Sequence, residues 1–347
     1  MITCNSLQDV LVLMTRIPLT RNAAFSPFPS YLMRAGADVA RIMRALSLNL
    51  ETLKEQENLL PFEYACRFVE AVESVDGMEQ LGLKVGANTS ITELGDFGVN
   101  LANAHDLADL LDRVVKTVPM TNSGATAWLD EGVNDDSVSL NLKHDACPAR
   151  ASLDGFALLV LIDAVRLVMG KSWIPSHVSI DQAAGDLLAY KALSGAEMNR
   201  DVGYMSFDIP KKFLNSSLEQ VSTQDDLAIQ CQLSDSAPSS DLIGSIEQTV
   251  RAGLGNYLPS IDETAELAGV SIRTLQNNLK DNNLVYRQVT SNVRFEEAKR
   301  LLKDGKMYIN EIASHLGYND TSNFNHAFKK WSGVSPKNFR ESLKNDK

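Results

Sequence analysis

The chain is poor in the features that mark secreted, metal-bound or membrane proteins. Its four cysteines, Cys4, Cys66, Cys147 and Cys231, are scattered over the chain far from one another. Neither C-x-x-C ligation nor a paired framework can be read from that spacing, which suits a reducing compartment. The most apolar window, residues 155–162, runs into Asp163 and Arg166, well short of the roughly 18–20 apolar residues that span a bilayer. Residues 1–8 contain no Lys or Arg, and the apolar run at 10–14 ends at Thr15 and Arg16. No signal peptide is expected, and the reading is a cytoplasmic protein. Glycine (20) and proline (11) are too few for a collagenous or Pro-rich chain. The motifs G-x-G-x-x-G, G-x-x-x-x-G-K-[ST], G-x-S-x-G and H-E-x-x-H do not occur, and nothing argues for an enzyme, a cofactor or a metal.

A chain of 347 residues is long enough for two domains with ordinary cores, and charge divides it. The formal net charge is −11, yet residues 241–347 hold 15 Lys+Arg against 13 Asp+Glu, whereas residues 1–240 hold 18 against 31. The acidic part should repel phosphate. The near-neutral last third can meet nucleic acid wherever its positive charge gathers on one face.

Apolar residues recurring at three and four predict helices at about 37–48, 61–75, 105–118, 152–169 and 184–193. The 152–169 pattern is apolar nearly all round, which predicts a buried central helix. Strands are expected at 125–129 and 137–143, where Val138, Leu140 and Leu142 alternate with Ser139 and Asn141, and further short strands at 177–180 and 203–209. Strands and helices do not alternate regularly, so an α+β domain over 20–210 is expected rather than a doubly wound sheet. The Ser-, Asp- and Gln-rich stretch at 215–245 reads as a linker, assigned to 211–240. The remainder, 241–347, reads as all helix.

That last third contains an internal repeat. Ala265-Glu-Leu-Ala-Gly269 recurs further along as Ala313-Ser-His-Leu-Gly317. Each copy is a short helix, a glycine turn and an amphipathic helix. Residues 261–268 lead in the first, with Ser271 capping a helix through Lys280. Residues 309–316 lead in the second, with Thr321 or Ser322 opening a helix through Trp331. The small Ala permits close crossing, and Gly supplies the positive φ of a sharp turn. This is helix-turn-helix patterning, in which the second helix enters the major groove. One long helix, 286–303, joins the two units, with Val289, Val293, Ala298, Leu301 and Leu302 as its buried stripe.

These residues resemble the AraC/XylS-type bacterial transcription regulators. The resemblance is carried by Gly269-Val270-Ser271-Ile272-Arg273-Thr274-Leu275-Gln276, by Val293-Arg294-Phe295-Glu296-Glu297-Ala298-Lys299-Arg300-Leu301-Leu302, and most specifically by the run from Ile312 to Pro336. It implies a DNA-binding domain of two helix-turn-helix units bridged by a helix. The acidic part is similar to the divergent, arabinose-binding-like effector half of one branch of that family, with Gly95-Asp96-Phe97-Gly98 where that branch has a glycine-rich turn. The resemblance implies double-stranded DNA and a small-molecule effector as partners, and activation rather than repression. It leaves RNA polymerase and a second copy of the chain open as further partners, and it names no effector-binding residue.

Carried over by position, the family's DNA-reading roles fall on Ser271, Ile272, Arg273, Gln276 and Asn277 in the first unit. In the second they fall on Ser322, Asn323, Asn325 and His326, with Lys329 and Lys330 near the DNA backbone. Arg pairs bidentately with guanine, and Gln or Asn with adenine. Asn277 and Asn278 stand where the family often has basic residues, and His326 where Arg is common, so fewer phosphates should be neutralised.

Plainer readings are available for several residues. Arg294 and Arg300 are expected to pair with Glu296, Glu297 or Asp304, and Trp331, Phe324, Phe328 and Phe339 to be core. His144-Asp145-Ala146-Cys147 has a short ligand spacing but no second pair nearby. His105 and His177 stand alone, and Asp135-Asp136 is a hairpin turn. The competing function is an enzyme or sensor whose C-terminal helices dock a protein partner. A sequence-indifferent architectural protein is disfavoured by the small charge excess.

Overall fold

A computed structural model describes residues 16–345 apart from 47, 76, 146, 148, 181–189, 191–192, 201–202 and 219–224. Most of the helix expected at 184–193 and the thiol of Cys4 lie outside the described residues. The described chain divides into two compact units, Pro18–Pro238 and the residues from Ser239 onward, the second also taking in Arg16 and Ile17.

The first unit is α+β. Strands β1 (Leu19–Arg21) and β2 (Leu59–Pro61) pair antiparallel, with Thr20 opposite Leu60. Between and after them run helices α1 (Asn22–Phe25), α2 (Pro27–Arg34), α3 (Val39–Ala45), α4 (Phe62–Glu73), α5 (Leu81–Gly86), α6 (Gly95–Ala102) and α7 (Leu107–Thr121). A five-stranded sheet follows, built from β3 (Ala125–Glu131), β4 (Ser137–His144), β5 (His177–Ile180), β6 (Glu197–Arg200) and β7 (Met205–Pro210) in the order β3-β4-β7-β5-β6. All its pairings are antiparallel except β5 with β6. Helix α8 (Arg150–Met169) is the buried central helix expected from its composition, with Leu158, Ile162, Ala164 and Val165 inaccessible.

Four differences from the sequence reading have physical causes. Strands β1, β2 and β6 are only three or four residues long and carry no readable alternation. Helix α7 starts at Leu107, with Asp106 as its side-chain cap, and runs through Pro119 to Thr121, beyond the predicted end at 118. The Gly95-Asp96-Phe97-Gly98 stretch opens helix α6 instead of forming a free turn: Gly95 has φ +57°, and a Cβ on Gly98 would lie 2.0 Å from the Ile91 carbonyl oxygen. The segment read as linker holds helix α9 (Asp226–Asp235), with Ile229 and Leu233 buried.

Two buried arginines fasten that helix. Arg113 forms paired bonds to Asp226 at its start, 2.6 and 2.9 Å. Arg21, with a fully buried side chain, donates to the Leu233 carbonyl at 3.0 Å and to Ser236 at 3.1 Å near its end, and also to Glu57 at 3.0 Å. A Ser- and Asp-rich composition conceals such anchoring, because the cations come from residues far away in sequence.

The second unit is all helical: α10 (Leu242–Gly253), α11 (Ile261–Leu267), α12 (Ile272–Asp281), α13 (Tyr286–Asp304), α14 (Ile309–His315), α15 (Thr321–Ser332) and α16 (Pro336–Asn345). Every residue of the stripe predicted for α13 is buried, and so is Glu297. Phe328 is the hub of an aromatic cluster, with Phe295, Phe324 and Phe339 rings at 5.6, 5.8 and 5.4 Å. Phe324 and Phe328 are fully buried, while Trp331 and Phe339 are half-buried at its margin.

Candidate DNA-binding surface and effector cavity

The two repeats close through the same backbone hydrogen bonds. Val270 N–H donates to the Ala265 carbonyl at 3.0 Å, and Tyr318 N–H to the Ala313 carbonyl at 2.9 Å. The intervening glycines, Gly269 and Gly317, have φ of +64° and +78°, the left-handed conformation that ends a helix sharply. Ala265 and Ala313 are each 1% exposed, so the crossing that the small side chain permits is realised.

The helix after each turn shows one face to the interior and another to solvent. In α12, Leu275 and Leu279 are buried while Ser271, Ile272, Arg273, Gln276 and Asn277 are exposed. In α15, Phe324 and Phe328 are buried while Ser322, Asn323, Asn325, His326, Lys329 and Lys330 are open to solvent. All eleven candidate readers therefore have open routes to solvent. Arg273, Gln276 and Asn277 are spaced by three and four and lie along one helical face, as do Ser322, Asn325, His326 and Lys329.

Local bonds already employ two of them. Ser271 caps α12 by accepting from Thr274 N–H at 3.1 Å. In α15 the cap is Asp320, not Thr321 or Ser322: its carboxylate accepts from Asn323 N–H at 2.7 Å and from the Asn323 amide at 2.6 Å. A carboxylate accepts more strongly than a hydroxyl and also favours the positive helix N-terminus.

On the bridging helix, Arg300 pairs with Glu297 through bonds of 2.9 and 2.6 Å. Arg294 lies instead over the Tyr318 ring, 5.2 Å from its centroid. That contact joins α13 to the second turn and cannot be seen from spacing on one helix.

The first unit contains a cavity of about 80 Å³. Its walls are mostly apolar, with Phe25, Phe28, Phe97 and Phe156 among them, and its polar lining residues are Thr20, Thr121, Asn122 and His144. His144 closes β4 opposite Ala125 of β3, which places it close in the fold to Asn122. Its Nδ1 lies 2.7 Å from Asp154 of α8, and its ring stacks on Phe62 at 5.8 Å. The side chains of His144 and Asp154 are 8% and 1% exposed. Sequence spacing shows His144 only as half of a weak metal motif, because its true partner sits on the following helix. A second groove, about 460 Å³, runs beside α3 and α4. Its charged lining residues are Asp38, which caps α3, and Arg41.

Two further groupings are invisible in the spacing. The thiols of Cys66 and Cys147 hydrogen-bond one another, and this together with burial pushes Cys66 well above the ordinary thiol range. His177 does not stand alone: Nε2 lies 3.1 Å from Glu197 and Nδ1 3.6 Å from Asp208. Among the described residues, no group of three or more His, Cys, Asp or Glu side chains is placed to hold a metal ion, and no helix is long and apolar enough to cross a membrane.

Comparison with known proteins agrees with both units. The helix-turn-helix domain family matches residues 264–342, and the family described as the arabinose-binding domain of AraC transcription regulator, N-terminal, matches residues 36–216. The HTH-type transcriptional regulator VqsM of Pseudomonas aeruginosa is 25% identical over 278 residues, 76% of this chain and 84% of that protein. The HTH-type transcriptional regulator VirS of Mycobacterium tuberculosis is 21% identical over 319 residues, 89% of this chain and 93% of that protein. Among solved structures, the transcriptional regulator CdpR from Pseudomonas aeruginosa is 22% identical with a TM-score of 0.42, covering 92% of this chain and 98% of its own. With two paired helical turns ahead of exposed helices, and a separate α+β unit enclosing a cavity, the chain belongs to the AraC family of DNA-binding transcription regulators.

Proposed function

We propose that α12 and α15 are the recognition helices, and that they enter successive major grooves about one helical turn, roughly 34 Å, apart. The observation that carries this reading is the duplicated turn followed in each copy by a helix whose polar face is open to solvent. Arg273, Gln276 and Asn277 read base edges in one groove, and Asn325 and His326 in the other, with Asn323 contributing its free amide oxygen. Ser271, Ile272 and Ser322 fit the duplex at the helix starts, and Lys329 and Lys330 neutralise phosphates.

The cavity unit takes a small effector and biases DNA engagement, acting as an activator in the cytoplasm. A second copy of the chain and RNA polymerase complete the working assembly. The route from cavity to DNA-binding half starts at β1. Thr20 lines the cavity, while the next residue, Arg21, holds the end of α9, and the chain enters the second unit at Ser239. A displacement of β1 on filling the cavity therefore acts on the segment that leads to the DNA-binding helices.

Footprinting on the promoter beside its own gene, with a salt series, tests the reading. Two protected grooves and a steep fall of affinity with salt are expected. Arg273→Ala should weaken the cognate site by about 1–3 kcal/mol while sparing random DNA, whereas Lys330→Ala should weaken both alike and reduce the salt slope by about 1. Equal losses on both DNAs for Arg273→Ala refute its reading role. Salt-insensitive binding, or binding only to a protein, refutes the assignment altogether.

A further inference from the structure

The cavity of the first unit is chemically one-sided, and that asymmetry bears on what fills it. Phenylalanines and aliphatic side chains form most of the wall. The polar groups are few, and three of them belong to neighbouring backbone: Thr20 bridges to Asn122 across β1, and His144 pairs with Ala125, which follows Asn122 closely in the chain.

Each polar side chain has a definite remaining capacity. The Asn122 amide oxygen accepts from Gly124 N–H at 2.9 Å, which leaves its NH2 as a donor. Thr121 is spent on the Thr117 carbonyl at 3.0 Å. The His144 Nδ1–H is held by the Asp154 carboxylate at 2.7 Å, so the other ring nitrogen, Nε2, is the free one. Among the described residues no protein group hydrogen-bonds Nε2, although the side chain is more than nine-tenths buried. Behind it, Asp154 also has Arg150 Nε at 3.4 Å. A buried carboxylate bonded to Nδ1 fixes the ring's orientation and leaves Nε2 to face an incoming group.

We propose that this cavity binds a small, mainly apolar carboxylic acid, its carboxylate on His144 Nε2 with the Asn122 NH2 and the Thr20 hydroxyl beside it, and its short chain or single ring among Phe25, Phe28 and Phe156. The assignment rests on the reading of this unit as the effector domain and specifies its ligand class. One proton is shared between carboxylate and Nε2, so the neutral acid and the ion pair are the same complex and no unpaired charge is buried. A pentose does not suit the walls, despite the description of the matching family. Its several hydroxyls would face phenylalanine rings, and each hydroxyl buried without a partner lowers affinity by roughly tenfold or more. The volume agrees with a compact ligand: about 80 Å³ holds on the order of five waters at ~15 Å³ each.

The test is calorimetric titration of the full chain with sodium benzoate, sodium hexanoate, benzamide and L-arabinose, with DNA binding measured on the same preparation. Binding of at least one acid is expected, with benzamide weaker and arabinose silent. His144→Gln should weaken the acid by roughly ten- to a hundredfold, the loss of a charge-assisted bond, while leaving benzamide nearly unchanged. Ala157→Phe, on the apolar wall one helical turn beyond Asp154, fills the cavity and should abolish acid binding while leaving the His144–Asp154 bond itself unaltered; it keeps the test decisive if His144→Gln fails to fold. Arabinose binding in place of the acids, no acid binding at millimolar concentration, or acid affinity unchanged in both variants overturns the assignment. Absence of DNA binding by the parent chain overturns the reading of the helices, whereas absence of acid binding with DNA binding intact overturns the cavity assignment alone.

Discussion

Glu297 lies on the bridging helix of the DNA-binding unit, and replacing it with Gln should loosen the joint of that helix with α10 and with the second helix-turn-helix repeat. Its side chain is 7% exposed and faces basic side chains from three helices: Arg300 on its own helix α13 at 2.6 Å, Arg251 of α10 at 3.6 Å and the His315 ring of α14 at 3.7 Å. Burial alone would push this carboxyl up. The His315 imidazole nearby and the hydrogen-bonded Arg300 guanidinium override it and hold the group at about 2 instead of the ordinary 4.5. A folded-state pKa below the unfolded one stabilises the fold above the unfolded value, and the gain disappears as pH falls toward the folded value. The displacement is worth about 3 kcal/mol at neutral pH, at ~1.36 kcal/mol per pH unit. Glu297→Gln should cost a similar amount, since it leaves the cations without their counter-charge. The assay is urea unfolding followed by Trp331 fluorescence, in a parent carrying Trp128→Phe and Trp173→Phe so that one reporter remains. The gap between parent and Glu297→Gln should be full at pH 7, begin to close below about pH 4.5 and be nearly gone at about pH 2. A gap at pH 7 no larger than the ~0.5 kcal/mol typical of an exposed ion pair, or one that persists unchanged through acid, refutes this account.

Three further substitutions probe other joints. Gly82→Ala puts a Cβ 1.6 Å from the Ser152 carbonyl oxygen, where α5 meets α8 backbone to backbone; a loss of about 3 kcal/mol or more is expected in calorimetry, and a loss under ~1 kcal/mol contradicts that packing. Asp320→Ala removes the cap of α15 and should lower stability by about 1 kcal/mol, while freeing the Asn323 amide; a cognate-DNA affinity that falls by far more would mean that the carboxylate itself orients a reader. Asp226→Asn breaks the paired bonds from Arg113 that hold this carboxyl below its usual range. Hydrogen exchange of residues 226–235 should accelerate by several-fold, a modest effect because Asp226 is 36% exposed and water screens the pair; unchanged exchange shows that Ile229 and Leu233 alone retain the helix.

The DNA-binding half is legible in the sequence because its signals are local. A helix-turn-helix needs an alanine, a glycine and a cap at fixed offsets, and two copies of that pattern within one short domain cannot be mistaken for noise. Arg273, Gln276 and Asn325 are singled out by the family resemblance, and their exposed faces agree with the 3.6-residue periodicity of their helices. The cap of α15 falls one residue before the expected pair because Asp320, Thr321 and Ser322 are all good caps, and the backbone path chooses among them. Spacing sends Arg294 to a carboxylate on its own helix; the fold gives it Tyr318, because the second turn folds back against that side.

Composition and periodicity by themselves settled that a buried helix runs through 152–169, that 137–143 is a strand, and that the last third holds two copies of one helical device; the structure extends the helix back to Arg150 and the strand on to His144. Tertiary structure alone decided which distant groups meet: His144 with Asp154 at the cavity wall, Arg21 and Arg113 at the two ends of α9, Glu297 among Arg251, Arg300 and His315. The reason is one of range. Helix and turn preferences act over three or four residues and are written in the chain order, whereas a buried charge or ring takes its partner from whatever side chain the packing of other elements brings within about 3 Å.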